Sequence, residues 1–175
     1  MFKQNSIEIN NEKYIIRNLN IKDKNIIQKL CEDCTDYYNI VSGEEPKEDT
    51  WKEILEDLPP NKTYEEKYVL GIFKDKNLVA IVDLVRDYPD KGEWILGLLL
   101  IHPMERRKGL GEKINGLISN MVKDNKGTKL RIGVVEDNSK ALNFWRNIGY
   151  LEVKRVNLTI GNKENIVIVM NHSVV

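Results

Sequence analysis

The stretch Ile101-His102-Pro103-Met104-Glu105-Arg106-Arg107-Lys108-Gly109-Leu110-Gly111 joins a strand end, a proline, three consecutive cations and two glycines. Immediately upstream, Ile95-Leu96-Gly97-Leu98-Leu99-Leu100-Ile101 is apolar throughout, the composition of a strand buried on both faces, and Pro103 ends it. Downstream, Ile114, Leu117, Ile118 and Met121 recur at helical spacing. The junction therefore reads as strand, basic turn, helix. Glycine permits positive φ and close backbone approach, consecutive amides form a concave nest, and the helix N-terminus adds a positive dipole end. A pyrophosphate is the expected ligand.

Two known phosphate loops fail on spacing. Gly109 and Gly111 begin a dinucleotide fingerprint, but Ile114 stands where its third glycine belongs. Gly111 and Gly116 have the interval of a Walker A loop, yet Leu117 and Ile118 replace the lysine and hydroxyl residue that reach phosphate and magnesium.

Outward from the turn, periodicity orders the rest of the chain. Tyr14 to Leu19 is expected as a strand, and Asp23 to about Ile40 as one helix with Ile27, Leu30, Cys31, Cys34 and Tyr38 on its apolar stripe. Ser42-Gly43-Glu44-Glu45-Pro46 breaks it. Trp51, Ile54, Leu55 and Leu58 mark a second short helix that Pro59-Pro60 ends. Lys67 to Phe73 and Leu78 to Val85 form a hairpin around Lys74-Asp75-Lys76-Asn77. Beyond the central unit, Leu130 to Val135 is strand and Asn138 caps a helix carrying Ala141, Phe144, Trp145 and Ile148, with Gly149 as its stop. Leu151 to Ile160 and Ile166 to Met170 close the chain as a hairpin about Gly161-Asn162. The order βααβββαβαββ has no linker or repeat, so residues 1–175 are expected to share one core.

Arg106-Arg107-Lys108-Gly109-Leu110-Gly111 resembles the Q/R-x-x-G-x-G/A turn of the GNAT superfamily of N-acetyltransferases. An apolar strand ending in His102-Pro103 precedes it. Asn138-x-x-Ala141-x-x-Phe144-Trp145-x-x-x-Gly149-Tyr150 follows, similar to that family's N-x-x-A-x-x-[FL]-Y-x-x-x-G-F element. The resemblance implies an α/β fold of the α+β kind, a mixed, mostly antiparallel sheet of about seven strands flanked by four helices. It also implies acetyl-CoA as cosubstrate and a small-molecule or peptide amine as acceptor. The pyrophosphate would rest on the amides of Arg106, Arg107, Lys108, Gly109, Leu110 and Gly111, with the arginine and lysine side chains adding charge. The pantetheine arm would pair with the main chains of Leu99, Leu100 and Ile101 and meet Asn138. Gly97 suits a bulge that splays this strand from its neighbour. A backbone donor near Leu99 or Leu100 would polarise the thioester carbonyl.

The proton-transfer groups stand apart from these motifs. Many relatives carry a tyrosine as general acid where this chain has Trp145, whose indole is expected in the core. Asp83 interrupts an apolar strand next to the central one, so it is the candidate general base, with Glu93 second. Glu44, Glu45, Glu48 and Asp49 are expected near the acceptor, or as a solvated loop.

Composition narrows the partners. Lys plus Arg and Asp plus Glu both number 27, so no charge excess calls for nucleic acid or an anionic membrane. No run approaches the ~20 apolar residues of a membrane span, and Met1 to Asn5 lacks the apolar core of a leader, which points to the cytoplasm. Cys31 and Cys34 have CxxC spacing without a second pair or nearby histidine, so buried thiols are expected and no metal. A homodimer through the final hairpin is expected as one option. The competing functions are a non-catalytic CoA-binding or regulatory domain and an interaction module.

Overall fold

The computed structural model describes residues 5–175. In chain order these are β1 (Asn5–Ile9), β2 (Glu12–Asn18), α1 (Lys24–Asp33), α2 (Thr35–Val41), α3 (Thr50–Glu56), β3 (Lys67–Lys74), β4 (Asn77–Val85), β5 (Glu93–Ile101), α4 (Leu110–Asp124), β6 (Lys129–Val135), α5 (Ser139–Asn147), β7 (Leu151–Ile160) and β8 (Lys163–Ser173). One eight-stranded sheet runs in the order β1-β2-β3-β4-β5-β6-β8-β7. Every neighbouring pair is antiparallel except β5 and β6. The mixed, mostly antiparallel α/β architecture expected from the sequence is present, with one strand and one helix more.

The extra strand, β1, turns into β2 through Asn10 and Asn11, both at positive φ (52° and 65°), the backbone that a tight two-residue hairpin requires. The extra helix arises at Cys34. The expected single helix breaks there, with Cys34 at φ −107° and ψ 31° and its N–H closing on the carbonyl of Cys31 at 3.0 Å. Its thiol reaches the carbonyl of Ile101 at 3.6 Å, so packing against the end of β5 redirects the chain. An apolar stripe of unbroken period carries no sign of this.

Two apolar layers sandwich the sheet. On one face Val82, Leu84 and Leu96 pack with Ile114, Ile118 and Val122 of α4 and Leu142 of α5. On the other, Val69, Phe73, Ile81 and Leu100 pack with Ile27 and Leu30 of α1 and Ile54 of α3. Each large side chain removed from water contributes roughly 2 kcal/mol, so this double layer fixes which strand faces look toward which helices.

Strand β5 changes face midway. Asp83 is opposite Leu98 but Leu84 is opposite Leu96, so Gly97 is the unmatched residue of a β-bulge. As a result Leu96 lies in the α4 layer and Leu98, two residues on, in the opposite layer, which an uninterrupted strand forbids. The bulge was expected at this glycine.

Candidate functional site

Beyond the bulge, β5 leaves its parallel partner. Only Glu93, Trp94 and Ile95 pair with β6, opposite Lys129, Leu130 and Arg131. From Leu96 to Ile101 the side of β5 facing β6 therefore has no strand partner, and a slot opens toward the C-terminal ends of both strands. Glu93 lies at the closed end, about 26 Å of strand from Ile101, and is held by Arg131 at 3.1 Å and Lys129 at 3.6 Å. The second candidate base is thus a clamp across β5 and β6, remote from the open end.

At the open end a 3₁₀ turn (Pro103–Glu105) leads into the glycine turn. Arg107 (φ 62°) and Gly109 (φ 84°) both take left-handed backbone. A Cβ on Gly109 would meet nothing within 4 Å, so glycine serves there for its conformation and for open approach to the amides. The first backbone bond of α4 runs from the Lys113 N–H to the Gly109 carbonyl at 3.2 Å, so the amides of Leu110, Gly111 and Glu112 end the helix without helical acceptors. A groove of about 1540 Å³ starts at Lys108, Gly109 and Glu112 and runs along α4 to Asn125 and His172, away from β5, so it touches the turn at its rim and is not the slot. Gly111 serves packing instead. A Cβ there would lie 3.0 Å from the Phe144 ring, so its absence lets α4 sit against α5.

The turn is anchored by a group that the sequence pattern did not single out. Glu105 is buried beneath it and accepts from the Tyr14 hydroxyl at 2.9 Å, with Lys74 at 3.5 Å and Lys108 at 3.4 Å. Burial pushes its carboxyl up, but Tyr14, Lys74 and Lys108 together outweigh burial and hold it below the usual range. One acid within a basic run was the available signal.

The Arg106 side chain turns away from the glycine turn. Its Nε donates to the Ile101 carbonyl at 2.8 Å and its guanidinium forks onto Asp36 of α2, which holds the Asp36 carboxyl below its usual range. The Ile101 carbonyl is thereby occupied by Arg106 and by Cys34. Arg107 is exposed and Lys108 pairs with Glu105 at 3.4 Å, so these two are the cations left beside the turn.

Asp83 sits at the bulge. Its Oδ2 is 3.6 Å from where a Gly97 Cβ would lie, on the sheet face of α1 and α3. Lys67 holds it with 2.8 Å contacts to both carboxylate oxygens, while also donating to the Asp57 carbonyl at 2.8 Å. Burial raises the Asp83 pKa and the Lys67 charge opposes that rise. Lys67 opens β3, so no local pattern linked it to Asp83, 16 residues away.

Asn138 caps α5, accepting from the Ala141 N–H at 3.1 Å. Trp145 is buried with its ring edge-on to Phe144 and Tyr150, so the indole is a core group as expected. Cys31 and Cys34 are free, buried thiols, and burial pushes both pKa values up to about 11. Such thiols are poor nucleophiles. Among the described residues no helix is long and apolar enough to cross a membrane, and no group of three or more His, Cys, Asp or Glu side chains could hold a metal ion.

The model of the acetyltransferase (GNAT) family matches residues 27–150. A search among curated proteins gave no match. Solved structures share the fold at low identity. An acetyltransferase from Thermus thermophilus superposes with a TM-score of 0.73 at 18% identity, over 91% of this chain and 96% of that one. The ribosomal-protein-S18-alanine N-acetyltransferase from Escherichia coli gives 0.68 at 14%, over 92% and 94%. The spermidine N-acetyltransferase from Vibrio cholerae, solved in complex with CoA and spermine, gives 0.70 at 18%, over 91% and 95%.

Proposed function

The chain belongs to the GNAT acetyltransferase family, and from that premise we propose that it transfers an acetyl group from acetyl-CoA to a primary amine. The observation that carries this reading is the slot between β5 and β6, which opens beside the amides of the glycine turn. The free amides after Gly109, the space in front of them and Lys108 suit a pyrophosphate. The unpaired side of β5 from Leu96 onward offers main-chain donors and acceptors to an amide-containing arm. Acetyl-CoA supplies the acetyl group as an activated thioester.

In the reaction the N–C bond forms as the C–S bond breaks, and one proton must leave the amine. Asp83 is the group we assign to receive it, directly or through water, because it stands at the bulge and burial raises its affinity for a proton. Lys67 keeps its carboxylate facing Gly97. A backbone N–H at Leu99 or Leu100 is assigned to the carbonyl oxygen, a contribution worth ~3 kcal/mol for one such donor. The departing thiolate, with a parent pKa near ~8.5, needs no acid from the protein at neutral pH, and Trp145 supplies none.

The deciding experiment incubates the protein with acetyl-CoA and a panel of amines while thiol release is followed. Turnover with any primary amine is expected. CoA binding without turnover across the panel would instead favour the non-catalytic reading.

A further inference from the structure

Glu105 is an acid in a turn otherwise built for anions, and it is only 7% exposed. A carboxylate so buried persists only with partners, and this one is held from two sides. From the sheet, the Tyr14 hydroxyl of β2 donates to Oε2 at 2.9 Å and Lys74 of β3 stands 3.5 Å from Oε1. From the turn, Lys108 stands 3.4 Å from the same Oε1. The sheet partners are shared with Glu12, which takes Lys74 at 2.7 Å and the Tyr14 hydroxyl at 3.2 Å. Lys74 therefore sits closer to Glu12 than to Glu105, and much of the charge balance at Glu105 falls to Lys108.

Lys108 is the side chain that this arrangement fixes. It is 45% exposed, and Glu105 is its ion-pair partner among the described residues. A lysine ammonium carries three N–H donors, so it can rest on Glu105 and still meet an anion beside the glycine turn. A free lysine gives up rotamer freedom when it binds, and the contact with Glu105 takes that loss before the ligand arrives. The order matters here because Arg106 is turned onto Asp36, which leaves Lys108 and Arg107 to supply the positive charge.

We propose that Glu105 is a positioning residue of the cofactor site: it holds the Lys108 ammonium beside the amides that follow Gly109, so that a pyrophosphate meets a cation already in place. This rests on acetyl-CoA as the ligand proposed above and adds a residue that lies outside the pattern of the glycine turn. Two ligands separate the role from a merely structural one, CoA and acetyl-pantetheine, which keeps the thioester arm and lacks the pyrophosphate. Glu105→Gln keeps the shape and removes the charge. It is expected to weaken CoA binding by about 10-fold and to leave acetyl-pantetheine binding unchanged. Lys108→Met should show the same selective loss. The double variant should lose no more than Lys108→Met alone, because Glu105 acts through that ammonium. If Glu105→Gln does not fold, Tyr14→Phe, which removes one hold on the carboxylate and no charge, replaces it with the same pattern of losses. Unchanged or tighter CoA binding in the Glu105 variant, equal loss of both ligands, or losses that add in the double variant overturns the proposal. Failure of the wild-type protein to bind CoA would instead strike the cofactor assignment, and CoA binding without turnover would strike the acetyl-transfer reading alone.

Discussion

Gly109 and Asp83 divide the proposed chemistry between them. Gly109 takes a left-handed backbone conformation and faces open space, so Gly109→Glu introduces strain, bulk and a like charge where the amides meet phosphate. CoA affinity is expected to fall by at least about 100-fold, read by calorimetry. An unchanged affinity would remove the turn from the site. Asp83 must be ionised to accept a proton, so turnover should fall as pH drops through its raised pKa. Asp83→Asn is expected to lower kcat by roughly 10²-fold or more, flatten that acidic limb and leave CoA affinity intact. Wild-type behaviour on all three would make Asp83 a structural partner of Lys67. Trp145 tests the acid step from the other side. Because it lies among Phe144 and Tyr150, Trp145→Tyr is expected to cost about 1–2 kcal/mol of stability and to change turnover by less than about threefold. A rise of ~10²-fold would mean that the new hydroxyl reaches the leaving thiolate.

Among the elements, β5 and β6 set the slot by being paired at one end only. Glu93 fastens that end through Arg131 and Lys129. Removing the carboxylate by Glu93→Ala leaves two cations facing each other, so a loss of about 2 kcal/mol is expected. In a chain of this size that lowers the Tm by roughly 4–8 °C, while CoA affinity should change little because the anchor is far from the turn. A large loss of affinity with little loss of Tm would show that the clamp acts on the slot rather than on the fold. The break between α1 and α2 matters at the same scale. A straight helix continuing past Cys34 would carry its second half away from β8, and Lys163 and Asn165, which donate to the carbonyls of Ile40 and Val41 at its end, would have no acceptors.

The whole molecule links ligand and pH to stability. A ligand at a hundred times its Kd adds about 2.7 kcal/mol to the folded state, so saturating CoA should raise the Tm by roughly 5–10 °C. No shift would count against the cofactor site and in favour of an interaction module. In acid, Asp23 and Asp36 are held below their usual range by Arg17 and Arg106, and Glu105 by the balance around it. A lowered carboxyl stabilises the fold above its unfolded pKa and loses that contribution as pH falls through the folded value. Asp83 has the opposite sign, favouring the fold when protonated and losing that favour as pH rises. Glu12, Glu66 and Glu152 are lowered too, so six carboxyls against one predict a urea midpoint that drops below about pH 4. The drop should be shallower in Asp23→Asn.

Local pattern was enough to place the glycine turn and all but two of the elements, because strand and helix periods, glycine at positive φ and the Asn138 cap are settled by neighbours within a few residues. It was also enough to mark Gly97 as the place where β5 bulges, since a glycine alone among branched residues leaves no side chain to hold the register. The partners of the polar groups, by contrast, emerge only in the folded chain. Arg106 reads locally as a phosphate cation, yet it serves Asp36, 70 residues away. Lys163 and Asn165 read as turn residues, yet they hold a helix more than 120 residues earlier. The short strand β1 and the break at Cys34 were equally invisible, one resting on pairing with β2 and the other on contact with β5. Such partners depend on which faces packing brings together, and a local pattern carries no record of that.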